Sequence, residues 1–212
     1  KRASIEDDQF GFYTPLAAQM GQEAAEFPDQ LVWPLFKKGD ATLCYDGQNF
    51  FDADHPGFNE AGEEISVSNV TAGAGPAWYL IDDTQVIKPM IHQQRKAFKL
   101  VQLDRETDTN VFMRGQYFYG VDGRCNAGFG LWQLAHQSKA ELNAANFKAA
   151  REAMGAIRKK SGQVINIKPA KLVVPQSLEA AARQVVEAQL INGGDSNIWF
   201  KTAEVVVVPQ LG

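Results

Sequence analysis

The feature that most constrains the fold of this chain is an apolar stripe close to its start. The stripe residues recur at spacings of three or four, and they are Leu16, Met20, Ala24, Phe27, Leu31 and Leu35. This spacing is the period of one face of an α-helix. Thr14 followed by Pro15 predicts the helix start, with a hydroxyl cap and then a proline that needs no N–H donor. Gly39, preceded by two lysines, predicts its end.

Pro28 lies within this stripe and leaves two readings of it. A proline removes the backbone hydrogen bond to the Ala24 carbonyl and crowds that turn, so two helices could meet there. The stripe keeps its phase across Pro28, however, and this favours one long helix with a kink. A helix of that length suggests a structural strut.

The middle of the chain predicts loops and then sheet. Residues 41–77 are rich in Gly, Asp, Asn and Ser and show little periodicity. Strand-like runs follow at 97–103, 111–113 and 116–121. Asp122-Gly123 predicts a tight turn into a second strand at 124–134. Glycines 128 and 130 within that strand predict a bulge or a close approach of backbone.

The last third alternates helix and strand. Asn143 is expected to cap a helix that ends near Lys160 and Gly162, with its stripe at Phe147, Ala150, Met154 and Ile157. Ser177 is expected to cap the next helix, with Leu178, Ala182, Val185 and Val186 turned inward. Buried strands are predicted at 171–175 and 203–209, and a loop at 192–197. The whole pattern predicts an α+β protein.

The stretch CYDGQNFFDADHP, residues 44–56, holds the candidate metal ligands. Asp46, Asp52, Asp54 and His55 could bind a metal and serve a metal-dependent hydrolase. Their spacing misses the calcium-loop pattern, and Asp, Asn and Gly are also the residues that turns use. A turn-rich loop, with Phe50 and Phe51 pinning it to the core or to a neighbour, is therefore the favoured reading.

Other catalytic and binding signals are weak. The three histidines show no zinc-binding spacing, and His136 is expected to be a hydrogen-bonded structural histidine. Cys44 is disfavoured as a nucleophile, and Cys44 and Cys125 are expected to be free thiols in a reducing compartment. The glycosylation sequon at Asn69 is expected to be a false positive. Most of the tryptophans are expected to lie in the core, although aromatic residues could also anchor interfaces.

Charge and hydropathy exclude several classes of protein. The net charge of −4 gives no electrostatic footprint for nucleic acid. No apolar run approaches the roughly 20 residues of a membrane helix. The opening residues have no apolar core of a secretory signal. A soluble protein is therefore expected.

Long blocks of the chain closely resemble the major head (capsid) subunits of bacteriophage Mu and Mu-like prophages, the gpT family. The blocks are residues 5–39, CYDGQNFFDADHP, WYLIDDTQVIKPMIHQQR, VFMRGQYFYGVD, NAGFGLWQLA, KLVVPQSLEAAA and AEVVVVPQL. They follow in the family's order and cover nearly the whole chain. The turn region around Gly123 and Cys125 departs from the family pattern, which leaves the turn type open.

This resemblance implies an HK97-like capsid fold and a structural, non-enzymatic function. It implies a spine helix at about residues 8–39, a peripheral domain over 1–142, and an axial αβ lobe mainly within 143–212. The N-terminal arm and extended loop are expected to be missing, so that the chain is a fragment or processed form and is monomeric or weakly associating by itself. An encapsulin-like domesticated shell remains an alternative.

The resemblance also implies the protein's partners and location. The expected partners are copies of the chain itself, with scaffold, portal and maturation protease during assembly. Packaged DNA would be enclosed without specific binding, and no catalytic, cofactor or metal residues are expected. The expected location is the virion capsid, and the host cytoplasm during assembly.

Overall fold

The apolar stripe forms a single helix, α1, which spans Tyr13–Lys37 in the computed structural model. Its 25 residues run through Pro28 without interruption, which confirms one helix rather than two. The predicted bounds of 8–39 are too wide at both ends. Thr14 lies inside the first turn instead of capping it, while Pro15 occupies a first-turn position where a proline costs no helical hydrogen bond.

The structure describes residues 3, 5, 7–8, 10–191 and 194–212, and contacts between Cα atoms divide the chain into two units. The first, here called the arm unit, comprises Lys1–Val32 and His92–Ala127. The second, the core unit, comprises Trp33–Ile91 and Gly128–Gly212. The prediction of a peripheral domain over 1–142 and an axial lobe over 143–212 concerns places in a shell and stays a prediction.

A five-stranded mixed sheet organises the core unit. Its order is β11-β8-β4-β7-β3, and its strands are β3 (Val70–Thr71), β4 (Trp78–Ile81), β7 (Ala135–Ser138), β8 (Lys171–Val174) and β11 (Glu204–Val207). Strand β4 pairs antiparallel with β7 and β8, while β11 is parallel to β8 and β3 is parallel to β7. All four residues of β4 are buried, as expected of a strand covered on both faces.

Helices and two hairpins complete the core unit. Helix α3 spans Ala144–Gly155, and the Asn143 side chain accepts a hydrogen bond from the backbone N–H of Asn146 at 2.9 Å, which confirms the predicted cap. Helix α4 spans Glu179–Val186. Two hairpins join β1 (His55–Phe58) to β2 (Glu64–Val67) and β9 (Leu190–Ile191) to β10 (Asp195–Ser196). Short 3-10 turns lie at Trp132–Leu134, Gln176–Leu178 and Pro209–Leu211.

The arm unit contains most of a two-stranded ribbon and a short helix. This ribbon consists of β5 (Met90–Leu103) and β6 (Phe118–Phe129). Helix α2 (Thr109–Arg114) lies between the strands and ends at Gly115, whose backbone is left-handed. Within the arm unit, the Phe98 ring of the ribbon packs edge-on against Phe27 of α1, with centroids 5.7 Å apart.

Several local predictions are wrong. Residues 111–113 are helical and belong to α2, which lies between the extended residue Asp108 and Gly115. The strand prediction failed because a run of three apolar residues does not distinguish helix from strand. Asp122-Gly123 is not a turn, since β6 runs straight through it. A Cβ atom at Gly123 would overlap the Phe98 ring, so this glycine serves close packing between strands.

Three predictions in the core unit also need correction. Helix α3 ends at Gly155 rather than near residue 160. Ser177 lies in a 3-10 turn, and Leu178 precedes α4 without a side-chain cap. The predicted loop at 192–197 includes two residues, 192 and 193, that lie outside the described residues, and its later part forms β10. The close approach predicted at Gly130 is confirmed, because a Cβ there would overlap the Lys88 carbonyl.

Candidate functional site

The loop at 44–56 is anchored on the aromatic core of the core unit. Phe50 is fully buried and stacks on Phe129, with ring centroids 4.2 Å apart and planes at 9°. Phe51 is also buried and meets Phe36 edge-on at 5.1 Å. The two phenylalanines therefore pin the loop to the core, which is one of the two roles predicted for them.

Asn69 ties this loop to the sheet. Its side-chain Nδ2 donates to the Phe50 carbonyl at 2.8 Å, and its Oδ1 accepts from the backbone N–H of Asp52 at 2.9 Å. The residue is 1% exposed. Its amide is committed to buried hydrogen bonds, and the false-positive interpretation of the glycosylation sequon stays a prediction.

A chain of three polar side chains runs through the loop. The Cys44 thiol donates to Asp46 Oδ1 at 2.9 Å, and Asp46 Oδ2 lies 2.8 Å from Nδ1 of His55. His55 is fully buried, and its ring stacks on Trp132 at 4.0 Å and 8°. Asp46 also accepts the backbone N–H of Gln48, which closes the turn.

Electrostatics make this cluster unsuited to nucleophilic chemistry. Burial and the hydrogen bond to Asp46 raise the pKa of the Cys44 thiol to about 11. Burial also raises the pKa of Asp46, but the hydrogen bonds from Cys44 and His55 outweigh it and hold that pKa below its usual value. The thiol is thus protonated at neutral pH. Nucleophilic attack on a substrate requires the thiolate form instead.

The predicted four-residue metal set comes together only in part. Asp46, Asp54 and His55 line one open cleft of about 550 Å³, while Asp52 accepts the backbone N–H groups of Ala53 at 2.7 Å and of Asn49 at 3.4 Å. Within the described part of the chain, the group of potential ligand atoms lying within 4.8 Å of one another belongs to Cys44, Asp46 and His55.

The ligand-like group is therefore smaller than the sequence suggested, and it has a different explanation. The Cys44 thiol and Nδ1 of His55 both hydrogen-bond to Asp46, which accounts for their proximity, whereas Nε2 of His55 is buried without a hydrogen-bond partner among the described residues. The sequence hypothesis omitted Cys44, although its spacing of two residues from Asp46 is the signal that could have suggested a shared turn. The hydrolase hypothesis gains no support from this geometry.

His136 is a structural histidine, as predicted. Its Nε2 lies 2.8 Å from the Thr71 hydroxyl, and the residue is 2% exposed. Burial lowers the pKa of His136 to about 4, so the ring is neutral at physiological pH. Both cysteines are free, which also agrees with the prediction.

Both units carry exposed apolar side chains, and several of them belong to the arm unit. Phe112 and Met113 of α2 are 81% and 70% exposed. Tyr13, Leu16 and Leu100 help to line a groove of about 370 Å³ between α1 and the ribbon. Patches of this kind are typical of surfaces that are covered by another molecule.

The tryptophans belong mainly to the core. Trp78 and Trp132 are buried in the core unit, and Trp33 and Trp199 pack against the same cluster. Within the part of the chain that the structure describes, none of the helices combines the length and apolar character needed to cross a membrane.

The fold is that of a phage capsid subunit of the HK97-like class. The chain superposes with a TM-score of 0.84 on a chain of the procapsid of bacteriophage JBD30, at 43% identity, covering 99% of this chain and 72% of that one. A chain of the bacteriophage JBD30 capsid gives the same TM-score at 29% identity, covering 100% of this chain and 72% of that one.

The chain belongs to the family of Mu-like prophage major head subunits, gpT, whose sequence model matches residues 1–211. It is 44% identical over 197 residues to the Mu-like prophage FluMu major head subunit of Haemophilus influenzae, covering 90% of this chain and 64% of that protein. It is 36% identical over 203 residues to the major capsid protein of Escherichia phage Mu, covering 93% of this chain and 67% of that protein. The chain thus spans about two thirds of the length of these curated relatives.

Proposed function

We propose that this chain is a structural subunit of a phage head, and that copies of it associate to build the shell that encloses the phage DNA. The observation that carries this proposal is the match over 99% of the chain, with a TM-score of 0.84 and 43% identity, to a procapsid subunit. A sequence identity of 43% supports a shared role as well as a shared fold. The raised pKa of the Cys44 thiol disfavours a nucleophilic role for it.

The finer assignments follow from family membership. Scaffold, portal and maturation protease are the proposed partners during assembly in the host cytoplasm, and the virion capsid is the proposed destination. A formal charge of −4 suits a shell that encloses DNA without gripping its phosphates. The region 143–212 is proposed to lie mainly in the axial lobe of the shell.

Production of the full-length head subunit together with its neighbouring head genes tests the proposal. Electron microscopy of the sedimented material is expected to show closed shells that contain this subunit. Particles that form normally when the subunit gene is deleted would overturn the proposal. A metal-dependent hydrolase activity that disappears in Asp46→Ala would overturn the purely structural assignment.

A further inference from the structure

The ribbon carries cations that lack an ionic partner among the described residues. Arg95 and Lys99 lie on β5 and Arg124 lies on β6, and all three side chains are exposed. None of the three forms an ion pair with any described residue. Lys96, by contrast, pairs with Asp122 across the ribbon. The ribbon therefore presents a surplus of positive charge.

Two of these cations frame a polar cleft of about 320 Å³. Its lining consists of Gln93, Arg95, Arg124, Cys125 and Asn126. A guanidinium group presents its N–H donors in a planar fork that matches both oxygens of a carboxylate. The side-chain amides of Gln93 and Asn126 supply further donors at the same place. The chemistry of this arginine cleft, as we call it, fits a carboxylate.

Helix α1 carries the complementary charge within the same unit. Glu23, Glu26 and Asp29 follow one another at intervals of three residues, and all are exposed. Glu23 and Glu26 accept hydrogen bonds from Gln19 at 3.2 Å and from Gln22 at 2.8 Å, respectively, and within the described residues none of the three carboxylates meets a cation. Like charges at this spacing repel one another and weaken a helix slightly. This acidic face would be stabilised by cations supplied from outside.

The two charged surfaces do not neutralise each other within one copy. The contact between α1 and the ribbon is apolar: Phe27 meets Phe98, and Leu16 and Leu100 share one groove. Among the described residues, no ion pair joins the acidic face to the ribbon. Both surfaces thus remain available to another molecule.

We propose that the arginine cleft of one copy receives carboxylates from the acidic face of α1 in a second copy. The inference rests on the proposed function, in which copies of this chain build a shell. Each copy carries both the arginine cleft and the acidic face, so the contact is head-to-tail and repeats until a ring or shell closes. Exposed ion pairs are individually weak, and their role is to set the register and speed of docking.

A second copy fits these surfaces better than DNA does. DNA-binding proteins neutralise many phosphates with a broad basic surface, whereas this cation surplus is small and the chain has a formal charge of −4. The three carboxylates of the acidic face match this small number of cations.

Charge reversal in the full-length head subunit tests the contact. The cleft variant carries Arg95→Glu and Arg124→Glu, and the helix variant carries Glu23→Arg and Glu26→Arg. Each variant alone would set like charges against each other, so the mass of sedimented shells is expected to fall about tenfold. Equal mixing of the two variants pairs opposite charges again and is expected to restore shells. Lys159→Glu with Lys160→Glu, at two exposed positions of the core unit, makes the same change in charge as the cleft variant and is the matched control for that variant.

The outcomes separate this contact from the function on which it rests. If the unaltered subunit forms no shells, the proposed function fails. If it forms shells and both variants assemble equally well, the contact alone is overturned. It is also overturned if the mixture of variants, each with an unchanged circular dichroism spectrum, fails to recover. Loss of binding to a double-stranded DNA fragment by the cleft variant, with normal assembly, would assign the cleft to DNA instead.

Discussion

Single buried polar side chains fix the irregular parts of the core unit to its sheet. Asn69 bridges the loop at 44–56 to strand β3 through the two hydrogen bonds of its amide. Asp82, which is fully buried, accepts the backbone N–H of Lys168 and the N–H and hydroxyl of Thr84. Such residues cost free energy when unpaired and hold one loop conformation when paired.

Replacement of Asn69 by alanine is expected to lower the free energy of unfolding by about 2–3 kcal/mol, because the Phe50 carbonyl and the Asp52 N–H lose buried partners. Urea unfolding followed by tryptophan fluorescence measures the loss. The matched control is Asp54→Ala in the same loop, whose side chain is exposed and whose replacement should change little. Equal losses in both variants would contradict the proposed role of Asn69.

His136 predicts a loss of stability in acid. Its pKa is lowered by burial from the usual 6.5 to about 4, so the unfolded chain takes up this proton at a higher pH than the folded chain. The contribution of this residue is complete above pH 6.5 and is lost as the pH falls towards 4, by up to about 3 kcal/mol.

The test compares unfolding free energies between pH 7.5 and 4.5 in His136→Gln and the unaltered chain. The dependence on pH is expected to be shallower in the variant. His92→Gln removes an exposed histidine and serves as the control. An unchanged slope in His136→Gln would show that His136 does not carry the acid sensitivity.

Among the secondary-structure elements, the ribbon contains a glycine at which a side chain would not fit. At Gly123 a side chain would run into the Phe98 ring, whereas at Gly120, in the same strand, a Cβ meets nothing within 4 Å. The two glycines therefore form a natural pair of test and control.

We expect Gly123→Ala to destabilise the ribbon by about 1–3 kcal/mol, the usual cost of overpacking, and Gly120→Ala to have little effect. Hydrogen exchange of the backbone amides of β5 and β6 reports on the ribbon directly. Shortening the ring in the double variant Gly123→Ala with Phe98→Leu should recover part of the protection. Equal protection in the two single variants would refute the packing explanation.

The elements with strong periodicity were predictable, and the exceptions have physical causes. The stripe of α1, the Asn143 cap and the valine-rich strands β8 and β11 were found because each signal is local. The assignment of a turn to Asp122-Gly123 failed because a glycine that gives room to a ring on another strand looks the same in sequence as a turn glycine.

The candidate site was predictable only in part, for a similar reason. The loop at 44–56 and its phenylalanine anchors were recognised from composition. The grouping of Cys44 with Asp46 and His55 depends on how the loop folds back, and no spacing rule describes that path. The hydrogen bond between His136 and Thr71 joins residues 65 positions apart, which single-sequence patterns do not reveal.

On the scale of the whole molecule, apolar burial is distributed very unevenly. The hydrophobic core cluster of the described residues lies entirely within the core unit. In the arm unit, Val111 is the one described hydrophobic residue with less than one tenth of its surface exposed. Stability is expected to follow this distribution, since apolar burial is the main favourable contribution to folding.

The arm unit is therefore expected to exchange its amide hydrogens much faster than the core unit in the unassembled chain. Assembly into shells should slow exchange in the ribbon, because a neighbouring copy would cover it. Hydrogen exchange measured by mass spectrometry on free and assembled subunits makes the comparison. Equally slow exchange of both units before assembly would contradict the expectation.

The two-stranded ribbon has a further consequence for how the chain avoids aggregation. Its outer edges expose unpaired backbone groups, which are templates for edge-to-edge aggregation. Lysine and arginine side chains along such edges act as gatekeepers against strand addition, and Arg95, Lys96 and Lys99 occupy that position on β5. Neutral substitutions here would remove the protection and favour amyloid-like deposits, whereas reversed charges would retain it.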